Sequence, residues 1–266
     1  MLSKGWLTPL LIVCLLHPLV KTNGQDELKP TYPDIRYVED GDYSQKVDIY
    51  LPETDNEAAL PTILLLHGSG YTKWDMEPLA AYFVAQGYAA IAVEYRSRRE
   101  VFINDLFCAL AWTHAEAETY GFDSTRLIVL GHSMGGYGAA ALGIVDDTAP
   151  YMEECPHTLP ETDRLQAVIL FGAGADESIM PQIDGNEPPF LLVHGDKDTR
   201  VRPAIAESLV NALADAEDDV TLVILPDVGH YFTNPTSEPG QLAIEAVATF
   251  LDNLEEKTPS HEDSND

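Results

Sequence analysis

From residue 35 onward, short apolar runs rich in branched side chains alternate with longer stretches whose apolar positions recur every three or four residues. The runs at 35–39, 47–51, 62–66, 89–93, 127–130, 167–170, 190–193 and 221–225 predict eight strands. The first two are half polar and are separated by Asp-Gly-Asp-Tyr-Ser-Gln, the pattern of an antiparallel hairpin at a sheet edge. The later runs are almost wholly apolar, as parallel strands covered on both faces are. Helical spacing covers 75–86, 101–119, 134–145, 204–216 and 241–254, and in the second of these Ile103, Leu106, Phe107, Leu110 and Ala111 share one stripe. Strands alternating with helices through short connections predict an α/β fold, an eight-stranded, mostly parallel sheet flanked by helices. Two irregular stretches, 146–163 with its three prolines and 172–189, interrupt this rhythm. Both are too short for a separate lid, so no large cap is expected and the site should be partly open.

The two ends read differently from the middle. Lys4 precedes an apolar stretch over 7–20 that is too short and too proline-broken to span a bilayer, and a polar segment follows. This predicts a secretory signal over 1–24, cleaved near Asn23 or Gly24, then a single α/β domain over 25–254. Residues 255–266 are polar and acidic, the composition of a disordered tail.

Charge then narrows the partners. The 266 residues carry 15 Lys and Arg against 44 Asp and Glu, a net charge of −29, while 45% are hydrophobic and can form a sizeable core. A field that negative repels nucleic acid and anionic membranes and suits a secreted, extracellular or periplasmic protein. Of three cysteines, Cys14 falls in the expected signal. Cys108 and Cys155 could pair in an oxidising compartment or remain two separate buried thiols, and the sequence leaves both open.

Candidate chemistry centres on Gly131-His132-Ser133-Met134-Gly135. A strand ends at Gly131 and a helix rich in small residues follows, so Ser133 should occupy a tight strand-to-helix turn that exposes its hydroxyl. A serine hydroxyl needs a base and an acid that orients the base. The chain order of such sites is serine, acid, histidine, which selects Asp198 after the seventh strand and His230 after the eighth. Asp196 is the rival acid. The remaining histidines read as packing or local hydrogen bonding, and His-Gly-Asp-Lys-Asp at 194–198 lacks zinc-like spacing, so neither metal nor cofactor is expected. An oxyanion would take the N–H of Met134 and one from the His-Gly-Ser-Gly turn after the third strand, either Ser69 or Gly70. Tyr71, Trp74, Tyr137, Phe171 and Tyr231, with Ile179 and Phe232, sit in or beside the loops above the sheet and are candidate pocket walls.

Together these residues resemble the α/β-hydrolase superfamily. HGSGYTKWD at 67–75 is similar to the oxyanion segment of secreted carboxylesterases, including the feruloyl-esterase-like group, and AAIAVEYRSR at 89–98 and the stretch over 103–140 extend the likeness. Ser69 stands where the middle glycine of that segment would be. The resemblance implies a serine esterase acting through an acyl-enzyme on small-molecule or polysaccharide-linked esters, and gives Asp105 and Trp112 a scaffold role. GHSMGG and GYT also resemble cutinase-like polyester hydrolases, where the oxyanion donors would be the backbone of Met134 and Tyr71. A peptide or amide bond as substrate, or a non-catalytic binding protein on the same scaffold, are the competing readings. Oligomeric state is not readable.

Overall fold

The computed structural model describes residues 28–54, 58–99, 101–161 and 164–257. The signal expected over 1–24 lies outside these residues, as does the tail beyond 257. All eight strands form, as β1 (Tyr32–Arg36), β2 (Lys46–Tyr50), β3 (Leu60–Leu66), β4 (Ala89–Glu94), β5 (Phe122–His132), β6 (Ala167–Phe171), β7 (Phe190–Gly195) and β8 (Val220–Leu225). They join one sheet in the order β1-β2-β4-β3-β5-β6-β7-β8. β1 and β2 form the expected antiparallel edge hairpin, β2 also runs antiparallel to β4, and the remaining pairs are parallel.

The crossover that sets β3 beside β5 has a direct consequence for function. Their register places Leu66 against Gly131, so the turn after β3 and the turn after β5 leave the sheet side by side. Alternation along the strands sends residues to two cores. Leu64, Leu66, Val129, Leu170 and Leu192 pack on one face, and Ile63, Leu65, Ile128, Leu130 and Val193 on the other.

Helices α1 (Glu77–Ala85), α2 (Phe102–Ala115), α3 (Ala117–Tyr120), α4 (Met134–Ile144), α5 (Pro203–Asp215) and α6 (Glu238–Lys257) cover the sheet. The helix expected over 101–119 is divided, because the backbone of Glu116 leaves the helical region at φ −98° and ψ 9°. α6 runs to Lys257, so residues 255–257 are helix rather than tail. Leu254 is buried, and once that face is docked the exposed Glu255 and Glu256 continue the turn at little cost. β1 starts three residues before its apolar run and ends at Arg36. Pro33 and Asp34 disguise it: Asp34 has φ 54° at a shift in register, and its carboxylate accepts ion pairs from Lys46 and Lys73.

Cys108 on α2 and Cys155 are joined in a disulfide with Cα atoms 5.4 Å apart. The bond ties the proline-rich stretch after α4 onto α2, and in a chain-entropy account closing such a loop stabilises the fold by about 4 kcal/mol. The described residues of that stretch hold one short 3-10 turn, Ala149–Tyr151, and no separate lid. Next to the disulfide, Asp105 grips the approach to α2: its buried carboxylate takes the Arg96 amide at 2.8 Å, the Arg96 guanidinium at 2.6 to 3.1 Å and Gln45 at 2.8 Å. Asp105 therefore has the scaffold role expected of it. No helix among the described residues is long and apolar enough to cross a membrane.

Candidate active site

Ser133 stands between β5 and α4 with φ 53° and ψ −118°, a backbone conformation that L-residues rarely adopt. The sequence permits it by keeping side chains away. A Cβ on Gly131 would lie 2.1 Å from the Gly135 carbonyl oxygen, and one on Gly135 would lie 2.3 Å from that of Leu66. The Ser133 hydroxyl points at His230, 3.0 Å from Oγ to Nε2. His230 Nδ1 donates to Asp198 Oδ2 at 2.6 Å. The three residues predicted from chain order are thus one hydrogen-bonded line at the carboxyl ends of β5, β7 and β8, where open α/β sheets bind ligands.

Asp198 is nearly inaccessible, and burial alone would raise its pKa. The bond from His230 and the amides of Val201 (2.9 Å) and Arg200 (2.8 Å) outweigh burial and hold the carboxyl below its ordinary value. It stays ionised when His230 must be steadied. The rival acid Asp196 turns away to Lys197 at 3.1 Å. His132 donates from Nε2 to the His230 carbonyl at 2.9 Å and so fixes the loop that carries the base. Burial pushes His132 down to about 4 and keeps it neutral. His67, His114, His157 and His194 each bond a backbone carbonyl, as expected of structural histidines.

Two amide sources converge beside Ser133. Met134 opens α4, where no earlier helical carbonyl can accept its N–H. The turn after β3 closes with the Tyr71 N–H on the Gly68 carbonyl at 3.2 Å, and Gly70 takes φ 80° at its third position. That bond occupies the Tyr71 amide, so the cutinase-like assignment of Tyr71 as donor does not hold. The amides of Ser69 and Gly70 are the ones this turn leaves open, and both residues are exposed. The turn lies close to the serine: a Cβ on Gly68 would be 3.3 Å from Ser133 Cβ.

The expected pocket residues divide. A cleft of about 710 Å³ reaches from Ser133 and Met134 past Phe102, Ile103, Tyr137, Tyr151, Ile179 and Ile205. Tyr137 and Ile179 line it as expected. Tyr71 and Tyr231 lie outside it as exposed rings 6.1 Å apart, with Tyr231 5.2 Å from the His230 ring. Trp74 is exposed on the 3-10 turn before α1 and lines no part of the cleft. Phe171 is a correction as well. As the last residue of β6 it faces the core and packs on Phe232, 5.3 Å between centroids, and both rings are buried.

Other site residues escaped sequence reasoning. Phe102, Ile103, Tyr151 and Ile205 come from three separate segments and carry no shared motif. Gly172 was also missed, although Gly-Ala-Gly directly after a strand was a usable signal. It has φ 56°, and a Cβ there would meet His230 Nδ1 at 3.3 Å and Asp198 Oδ2 at 3.4 Å. Among the described residues no three His, Cys, Asp or Glu side chains are grouped to hold a metal ion.

Comparison with known proteins gives consistent results. Residues 47–176 match the BD-FAE family and residues 175–257 the prolyl oligopeptidase family. The esterase LipC of Mycobacterium tuberculosis is 24% identical over 80% of this chain. The chain spans 63% of LipC's own length. Among solved structures, the propionate-bound esterase Est2 of Thermogutta terrifontis superposes with a TM-score of 0.73 at 21% identity, covering 89% of this chain and 98% of that one. A truncated carbohydrate esterase from gut microbiota superposes with a TM-score of 0.68 at 19% identity, covering 85% and 99%. These structural likenesses concern the fold.

Proposed function

We propose that the chain is a secreted serine hydrolase of the α/β-hydrolase superfamily that cleaves carboxylic esters through an acyl-enzyme. The observation that carries this reading is the line Ser133–His230–Asp198 ending beside the free Met134 amide. His230 Nε2 takes the Ser133 proton as Oγ bonds to the ester carbonyl carbon. The amides of Met134 and of Ser69 or Gly70 hold the oxygen that becomes negative. When the C–O bond to the alcohol breaks, His230 returns its proton to the departing oxygen. Water, activated by His230, then releases the acid and restores the serine. Asp198 keeps the imidazole tautomer that permits each transfer.

Esterase relatives and a carbohydrate-esterase fold neighbour favour small-molecule or carbohydrate esters as substrates. The charge of −29 favours neutral over polyanionic esters. Secretion is supported by the N-terminal pattern and by the Cys108–Cys155 bond, which an oxidising compartment sustains.

The test is turnover of p-nitrophenyl esters from acetate to decanoate by wild type and Ser133→Ala. Wild-type activity and a loss of at least about 10⁴-fold in the variant are expected. Undiminished turnover by the variant would sink the assignment. A second reading, amide or peptide hydrolysis, is favoured by the prolyl oligopeptidase match over the stretch that carries Asp198 and His230. Turnover of matched p-nitroanilides at rates equal to the esters would establish it.

A further inference from the structure

His194 lies near the end of β7 with no exposed surface, behind the acid of the Ser133–His230–Asp198 line. Its Nε2 stands 2.8 Å from the Val201 carbonyl oxygen and 3.5 Å from Asp198 Oδ2, while its Nδ1 is buried without a partner. A carbonyl only accepts, so Nε2 carries the proton and Nδ1 is the bare nitrogen of this tautomer. Val201 is thereby held at both of its backbone groups. Its carbonyl takes the His194 proton, and its amide donates to Asp198 Oδ1 at 2.9 Å. The turn that leads to the acid is closed by the Asp198 amide on the Gly195 carbonyl at 3.1 Å. Gly195 serves the other loop: a Cβ there would lie 2.2 Å from the Val228 carbonyl oxygen and 2.5 Å from that of Gly229. The Lys197 amide also bonds the Val228 carbonyl at 2.9 Å, so the loops that carry acid and base meet on this one strand end.

We propose that His194 is a positioning residue for the acid, clamping the turn over 198–201 onto β7 so that Asp198 Oδ2 meets His230 Nδ1. This rests on the ester-hydrolase reading above. Asp198 stands in a loop, and its aim depends on the Arg200 and Val201 amides that hold Oδ1. An amide can orient a carboxylate only as well as its own backbone is fixed, and a small misplacement of a reacting group costs much of the rate. His194 fixes the Val201 backbone from the strand, and the positive end of its N–H dipole stands beside Oδ2 itself. Packing alone does not account for an imidazole here. A nitrogen left bare in the core costs stability, so what this ring adds over an apolar side chain of its size is the single bond from Nε2. The role therefore belongs to one atom of the ring, and that atom can be tested.

Three replacements separate the donor from the bulk. A glutamine amide nitrogen reaches the place of Nε2, an asparagine amide nitrogen the place of Nδ1, and leucine fills the space with neither. In the full-length protein, His194→Gln should keep kcat on p-nitrophenyl butyrate within about threefold of wild type. His194→Asn and His194→Leu should lower kcat by about tenfold to thirtyfold, with KM unchanged within about twofold. Turnover is counted per site labelled by a fluorophosphonate, so a loss of folded protein does not enter the ratios. Equal losses in all three variants, a loss carried by KM, or an undiminished leucine variant overturns the role of His194. NMR of the wild type with isotope-labelled imidazole nitrogens needs no variant: His194 is expected as the Nε2–H tautomer, and a proton found on Nδ1 with Nε2 bare overturns the clamp. A wild type that turns over no p-nitrophenyl ester removes the ester-hydrolase reading and this role with it. An active wild type with any of the other reversals removes this role alone.

Discussion

On the His230 side of Ser133, the site is tied by the main chain. The amides of Arg200 and Val201 hold Asp198, the His230 carbonyl is held by His132, and the Ser133 amide bonds the Phe171 carbonyl at 2.9 Å. On the cleft side the ties run from side chain to side chain: Cys108 to Cys155, Arg96 to Asp105, Arg99 to Asp176. Most single substitutions leave a backbone donor or acceptor in place, whereas one substitution deletes a side-chain tie. The difference teaches that the loops carrying acid and base are anchored with a main-chain group at one end of each tie, whereas the cleft wall rests on paired side chains.

Removing the charge of Asp198 tests this most severely. Asp198→Asn keeps the backbone anchors but offers the wrong partner to His230, so kcat is expected to fall by about 10⁴-fold while KM for a long-chain ester stays within about threefold. A matching rise in KM would show that the two sides are coupled. Next comes the disulfide. The double variant Cys108→Ser, Cys155→Ser should lose up to about 4 kcal/mol in denaturant unfolding and raise KM for octanoyl esters, since Tyr151 lies four residues from Cys155. Labelling of Ser133 by a fluorophosphonate in the folded variant should keep its wild-type rate. Loss of labelling would erase the contrast.

Acid probes the backbone-tied side through His132, the third effect in size. Its pKa is about 4 in the fold and about 6.5 when unfolded, so between these values the unfolded chain binds the extra proton. The stability that neutral His132 confers is present above pH 6.5 and falls by about 3 kcal/mol as pH drops to 4. Asp198, held low, adds a loss only below its unfolded value. Denaturation midpoints of wild type and His132→Asn between pH 7 and 4 isolate the effect, and parallel curves would refute it. Smallest is Gly172→Ala. A methyl group at φ 56°, pressed on His230 and Asp198, should cut kcat by about 100-fold with little change in KM.

The same contrast explains what the sequence disclosed. Ser133, Asp198 and His230 were legible because each follows a recognisable strand and because the elbow demands glycines at 131 and 135. The eight strands were legible because buried parallel strands are continuous apolar runs. The cleft was not, since Phe102, Tyr151 and Ile205 meet only after α2, the stretch beyond α4 and α5 have packed. Phe171 and Trp74 were misplaced for a related reason. Proximity in sequence to a catalytic loop does not say whether a ring turns toward the core or toward water. β1 was shifted because Pro33 and Asp34 look like breakers until Lys46 and Lys73 are seen to pair with Asp34.

The positive φ of Ser133 carries one more consequence, and it concerns evolution. A non-glycine residue in such a conformation costs about 1–3 kcal/mol, which glycine at that position would recover. A lineage selected only to remain folded would therefore gain by discarding the hydroxyl. The least comfortable position of the fold thus holds the hydroxyl that meets His230, so stability and site geometry pull in opposite directions at one residue.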